Sequence, residues 1–272
     1  MRKQDFLKLL FAPVKGWILS AFTYTGNTIN VETQAGDPRA VSFNPDGTKM
    51  YVCDTVDDFL YQYSLSPAWD ITTATYDSVS YDFVSSFGGF SFKPDGTKLY
   101  KSHHSSVDRI EEFSLSPAWD ITSLTTINDQ SGFGNNPSNV RFNATGTKMY
   151  VLASDTITQY SADPAWESTS ATTDSITFDF GNSANGDEST AMNFVFHPEG
   201  TYLYLAGRSK DAILQYSLGE AWDLSTISYD AVQLDISTQQ PDVTDLYFTE
   251  DGRTLFIIGE GNNDSDVHEY SM

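Results

Sequence analysis

The chain has 272 residues with 37 acidic against 15 basic side chains, a formal net charge of −22, which disfavours a polyanionic partner such as DNA or RNA over most of its surface. Its one cysteine, Cys53, excludes an intrachain disulfide, and no apolar run is long enough to cross a membrane as a helix. Aromatic residues make up 14%, with Tyr and Phe dominant, a composition that favours strands, and the length suits one large all-β domain.

Residues 1–20 begin like a secretion signal, basic and then apolar, but Pro13, Lys15 and Gly16 interrupt the apolar stretch. Arg2, Lys3, Phe6, Leu9, Leu10, Phe11, Trp17 and Ile18 instead give a mixture suited to docking in a partner groove or on an acidic protein surface. Lying on a membrane surface and cleavage as a signal are the alternatives. Residues 21–33 then form a strand-like segment that precedes the first repeat much as Thr73-Ala-Thr-Tyr-Asp-Ser-Val-Ser-Tyr-Asp-Phe precedes the second.

A fixed-period repeat follows. Phe43-Asn-Pro-Asp-Gly-Thr-Lys-Met-Tyr-Val recurs from Phe92, Phe142, Phe196 and Phe248. Units of this length hold four short strands and their turns, the signature of a β-propeller blade. In each, an apolar inner strand ends at the Phe. A turn of the Pro-Asp-Gly type follows, Pro fixing φ and Gly accepting positive φ, and leads into a second strand. A second block, Tyr61-Gln-Tyr-Ser-Leu-Ser-Pro-Ala-Trp-Asp, recurs in related form around Trp119, Trp166 and Trp222, and its fifth copy stops at Tyr270-Ser-Met. The chain therefore ends one outer strand short, and the unassigned N-terminal strand is expected to complete the last blade, removing the open edge of the ring. The expected organisation is a docking arm at 1–20 and an all-β, five-bladed propeller at 21–272. The five anchoring Phe residues are expected in the inter-blade core and the Trp residues over the blade ends. Removing residues 2–20 is expected to leave the propeller folded.

These residues resemble the YVTN-type and lactonase-like propeller repeats, which share a Pro-Asp-Gly turn followed by a Tyr-Val strand. With the Ser-Leu-Ser-Pro-Ala-Trp-Asp-Ile element they look most like repeats of large surface or virion-associated proteins of marine bacteria and their phages. The resemblance implies a fold; such a motif does not specify an activity.

In a propeller the blade-to-blade loops and the loops between second and third strands share one face, and the Pro-Asp-Gly turns and Trp loops share the other. The first face varies most between repeats and carries the acids Asp54, Asp57, Asp58, Asp155, Asp187, Glu188, Asp211, Asp242 and Asp264, with His103 and His104. Variable loops on a repeated scaffold are where binding resides, so these residues form the candidate ligand face, suited to a glycan and to calcium held by clustered carboxylates. His103 and His104 alone suggest a transition metal, but without further His or Cys at ligand spacing a polar loop is the expectation.

Enzymatic signals are sparse. Three residues before the anchoring Phe the blades offer Ala40, Gly89, Asn139, Asn193 and Asp245, a single acid where a glycosidase needs a pair. No Gly-x-Ser-x-Gly or phosphate-loop motif occurs. The sequence therefore points to a non-enzymatic module of a larger assembly, with a phage virion (tail, fibre or capsid surface) as the expected location. The arm would dock on neighbouring subunits and the variable face would meet a host glycan. An exported bacterial surface module and a lactonase-like or glycan-acting hydrolase are the alternatives.

Overall fold

The computed structural model describes residues 17–84, 87–103, 108–260 and 265–272. Its strands form five four-stranded antiparallel sheets, four of them running from the propeller axis outward in chain order and the fifth ending on the N-terminal strand. Blade 1 holds β2 (Pro38–Phe43), β3 (Lys49–Asp54), β4 (Phe59–Ser64) and β5 (Thr75–Asp82); blade 2 holds β6 (Gly89–Phe92), β7 (Lys98–Ser102), β8 (Arg109–Ser114) and β9 (Thr125–Ser131). Blade 3 comprises β10 (Pro137–Phe142), β11 (Lys148–Ala153), β12 (Thr156–Ala162) and β13 (Ala171–Asp179). Blade 4 comprises β14 (Ala191–Phe196), β15 (Tyr202–Gly207), β16 (Ala212–Leu218) and β17 (Ile227–Asp235). Blade 5 has β18 (Val243–Phe248), β19 (Thr254–Gly259) and β20 (Asp266–Ser271), and its outer strand is β1 (Thr23–Asn30), paired from Thr23 with Ser271 to Asn30 with Asp266. The ring is closed by the N-terminal strand, as the incomplete fifth repeat requires.

Burial follows the radius. Second strands such as β3 and β15 are almost wholly buried, whereas outer strands such as β5 and β17 alternate between half-buried and exposed residues. That gradient is why the inner runs are apolar and only the outer strands show polar alternation.

The turn face is built from one repeated contact. At Trp69, Trp119, Trp166 and Trp222 the backbone takes φ of 65–67° and the N–H donates to the carbonyl of the turn glycine, as Trp69 does to Gly47 at 2.9 Å. The indole lies over that glycine so closely that a Cβ on Gly47, Gly96, Gly146 or Gly200 would collide with it. The Trp residues cover the blade ends as expected. The anchoring Phe residues pack beside them, with Phe43 and Phe248 buried and Phe92, Phe142 and Phe196 half-buried.

The arm departs from the expected boundary at Trp17. Trp17 is only 5% exposed, stacks on Phe248 with ring centroids 4.6 Å apart, and occupies the space over Gly252. It is the fifth Trp of the repeat, supplied from the other end of the chain. Leu19 is fully buried and begins a 3-10 turn equivalent to those at Ile71, Ile121 and Leu224. The propeller thus includes Trp17, four residues before the expected boundary, and Trp17 is not available to a partner. Ile18 is 56% exposed, and Arg2, Lys3, Phe6, Leu9, Leu10 and Phe11 lie outside the described residues.

Candidate functional site

At the axis, Arg141 on β10 reaches across the ring. Its Nε donates to the Phe194 carbonyl at 3.2 Å, one terminal nitrogen to the Phe90 carbonyl at 2.8 Å, and the other to Asn193 Oδ1 at 3.3 Å. That last nitrogen lies 3.7 Å from Asp245 Oδ1. Asp245 in turn accepts from the backbone N–H of Val41 at 2.9 Å and of Leu246 at 2.7 Å. One ion pair therefore touches the inner strands of all five blades. Burial pushes the Asp245 carboxyl up to about 7, against the opposing pull of Arg141 and the two amides. The one acid among the five axial positions is thus a structural tie.

The variable face assembles as expected on one side of the ring: the β3–β4 loop meets the loop before blade 1 where Thr55 N–H donates to the Asp37 carbonyl at 3.2 Å. Several of its acids serve the loops themselves. Asp54 is buried and accepts from the N–H groups of Asp37, Val56 and Asp57 at 2.7–2.8 Å. Glu188 is fully buried, accepting from Thr190 N–H, Ser209 N–H and Ser209 Oγ on one oxygen and from Lys210 N–H on the other. A Cβ on Gly207 would run into that carboxylate, so the glycine is what admits it. His103 is also buried, 2.7 Å from Glu111, inside a cluster with Lys101 that Phe83 and Phe87 cover. Histidine and Lys101 together hold the Glu111 carboxyl down to about 2, against the cost of its burial. Asp54, Glu188 and His103 are therefore corrected from ligand-face residues to internal supports. For the two acids the physical reason is shared: a loop that bends over a sheet end leaves backbone N–H groups needing an acceptor, and a nearby carboxylate supplies two. His103 is held instead by the buried Glu111 carboxylate beside it.

Asp57 and Asp187 are exposed, Asp187 pairing with Lys210 at 3.1 Å, and Asp211 and Asp242 are half-buried in neighbouring loops. His104 and Asp264 lie outside the described residues. Among the described residues no three His, Cys, Asp or Glu side chains converge as metal ligands. With the Asp54 oxygens committed to three amides, the Asp54, Asp57 and Asp58 group does not fit a calcium ion.

Asp155, one of the acids expected on this face, lines a cavity. The mouth of the axial channel on the variable face holds a pocket of about 270 Å³, bordered by Arg39, Asn136, Ser138, Ser154, Asp155 and Thr190. Asp155 accepts from Ala191 N–H at 3.2 Å, and burial raises its carboxyl. Arg39, at 8% exposure, is fixed by donating to the Gly88 carbonyl at 3.2 Å and by Glu260 at 3.7 Å. Hydroxyls, an amide, a carboxylate and a guanidinium on so few residues match the donor and acceptor pattern of a polyhydroxylated ligand. Sequence reasoning missed Arg39 and Asn136; their signal was weak, a basic residue near the start of inner strand β2 and an amide just before β10.

No protein-family model and no curated protein matches the chain. Among solved structures, a protein named as a putative 6-phosphogluconolactonase from Bacteroides uniformis is 19% identical, with a TM-score of 0.46, over 73% of this chain and 55% of its own. A second protein of that name, from Bacteroides fragilis, is 16% identical with a TM-score of 0.46 over the same shares. A protein of unknown function from Desulfotomaculum acetoxidans is 12% identical, with a TM-score of 0.48, over 82% of this chain and 63% of its own. The chain therefore spans less than two thirds of the length of each. At these values the likeness carries no weight for function, and the five-blade architecture stands on this chain's own strand pairing.

Proposed function

We propose that the protein is a non-catalytic recognition module that takes a polyhydroxylated ligand, a glycan, in the polar mouth of its variable face. The pocket of Arg39, Asn136, Ser154 and Asp155 carries this reading. Acid and base partners for hydrolysis would have to be unencumbered carboxylates, and those nearest Asp155 are engaged: Glu188 by four donors, Asp179 by Gly181 N–H at 2.9 Å. The chain enters the ring at Trp17 on the turn face, so a segment anchored through residues 1–16 would leave the variable face pointing away from its anchor. A virion or cell-surface assembly is the setting this arrangement suits, and the strong acidity argues against a nucleic-acid partner.

The test is a glycan panel read by calorimetry on the full chain, with Asn136→Ala and Asp155→Ala beside it. Saturable binding that both substitutions weaken by about tenfold or more supports the reading. Turnover of glycosides or lactones, or binding indifferent to both substitutions, overturns it.

A further inference from the structure

The opposite face carries a second cavity of different chemistry. It opens among the turns and measures about 280 Å³, with Phe92, Phe142, Trp119 and Trp222 in its wall and Arg141 and Tyr247 deeper along the inner strands. Arg141 bonds to carbonyls two residues before Phe92 and Phe196, so its guanidinium closes the channel and forms the cavity floor. The side chain keeps 18% exposure there.

Two facts give that floor an unmet binding capacity. A guanidinium has five N–H groups, and Arg141 donates three hydrogen bonds, leaving one N–H on each terminal nitrogen. The counter-charge is also loosely held. Asp245 spends its oxygens on two backbone amides and approaches Arg141 only to 3.7 Å, beyond hydrogen-bond distance. A cation with spare donors in an aromatic cup is matched by an anion with planar oxygens on an apolar body. Among the described residues the only acid bordering the cavity is Glu250, an exposed residue of the blade 5 turn, which would orient such a ligand with its carboxylate inward.

We propose that this cavity is a binding site for a small apolar monocarboxylate, its carboxylate on Arg141 and its hydrocarbon body against the Phe and Trp rings. The site is independent of the polar mouth: it lies on the other face and differs in ligand class. Its size fits a single ring with a short acidic arm.

Phenylacetate is the probe, phenylacetamide its neutral isostere, and the emission of Trp119 and Trp222 the readout, with calorimetry for affinity. Phenylacetate is expected to bind the full chain with a dissociation constant at or below about 1 mM, and the amide about tenfold or more weakly. Arg141→Met removes the charge but also a tie among the inner strands, so a second variant guards the test. Ser42→Phe fills the cavity from a side chain that lines it, and should abolish phenylacetate binding while leaving the melting temperature near the parent's. No binding up to about 10 mM, equal affinity for acid and amide, or unchanged binding in Ser42→Phe would each overturn the proposal.

Discussion

Gly96 shows how much one atom matters in this chain. It sits at φ of 72° with the Trp119 indole against its α-carbon, so Gly96→Ala adds both backbone strain and a collision. Loss of about 2 kcal/mol or more is expected in urea unfolding, whereas alanine at Gly132, which is open to solvent, should cost only the strain of its positive φ. Two carboxyls set opposing pH dependences. Glu111 is held down to about 2, so its contribution is complete above the ordinary Glu range and is lost as pH falls towards 2. Asp245 is pushed up to about 7, so the folded state retains a proton that the unfolded chain gives up, and stability drains away as pH rises from about 4 through 7. Unfolding of the parent and of Asp245→Asn across pH 4 to 8 separates them: the fall over this window should flatten in the variant. The turn glycines and their Trp partners could be read from the repeat. The roles of Asp54 and Glu188 could not, because a carboxylate that caps loop amides and one that awaits a ligand have the same sequence signature.

Neighbouring blades are fastened by a latch between elements. The second-strand tyrosines Tyr51, Tyr100, Tyr150 and Tyr204 donate their hydroxyls to the carbonyls of Trp119, Trp166, Trp222 and Trp17, each in the following blade. The fifth position is Phe256, stacked near Trp69 with no hydroxyl to give. Phe256→Tyr should therefore add the missing bond between blades 5 and 1 and raise stability by about 1 kcal/mol, and Tyr204→Phe should lower it by a similar or larger amount. A fall in melting temperature for Phe256→Tyr would show that the fifth interface is spaced differently from the other four. Within blades a second device repeats. Asp77 accepts from Lys49, Gln62 and Ser64, and Asp174 accepts from Lys148, Gln159 and Ser161, beside a bulge where the outer strand slips register. These clasps were invisible beforehand because the bulge, with Ser78 and Ser175 at positive φ, aims the acid back at the sheet.

For the whole molecule, closure decides which truncations are tolerated. Removing residues 2–16 should leave the ring intact. Removing 2–20 takes Trp17 from the Gly252 turn, the Tyr204 latch and the buried Leu19, and should cost several kcal/mol. Differential scanning calorimetry of the two truncations makes the comparison, and equal melting temperatures would contradict the place given to Trp17. The shorter truncation also tests the proposed docking role: if residues 2–16 anchor the protein to an assembly, their removal abolishes that association while the fold is kept.

The sequence by itself determined five blades, the strand order within each, the identity of the closing strand and the division into a repeating face and a variable one. Those features are local or periodic: turn chemistry, alternation and a recurring block need no knowledge of what lies across the ring. Tertiary structure alone decided that Trp17 belongs to the propeller, although its spacing of six residues to Thr23 matches that of Trp69 to Thr75. It also decided which acids are spent inside loops, and that Arg141 spans the axis between a polar mouth and an aromatic cup. The Trp17 and Arg141 hydrogen bonds join residues 51 to 187 positions apart at the ring closure or at its axis, where five chain segments converge and no local pattern records the encounter. The spent acids depend on where each folded loop aims its N–H groups, which residue type alone does not record.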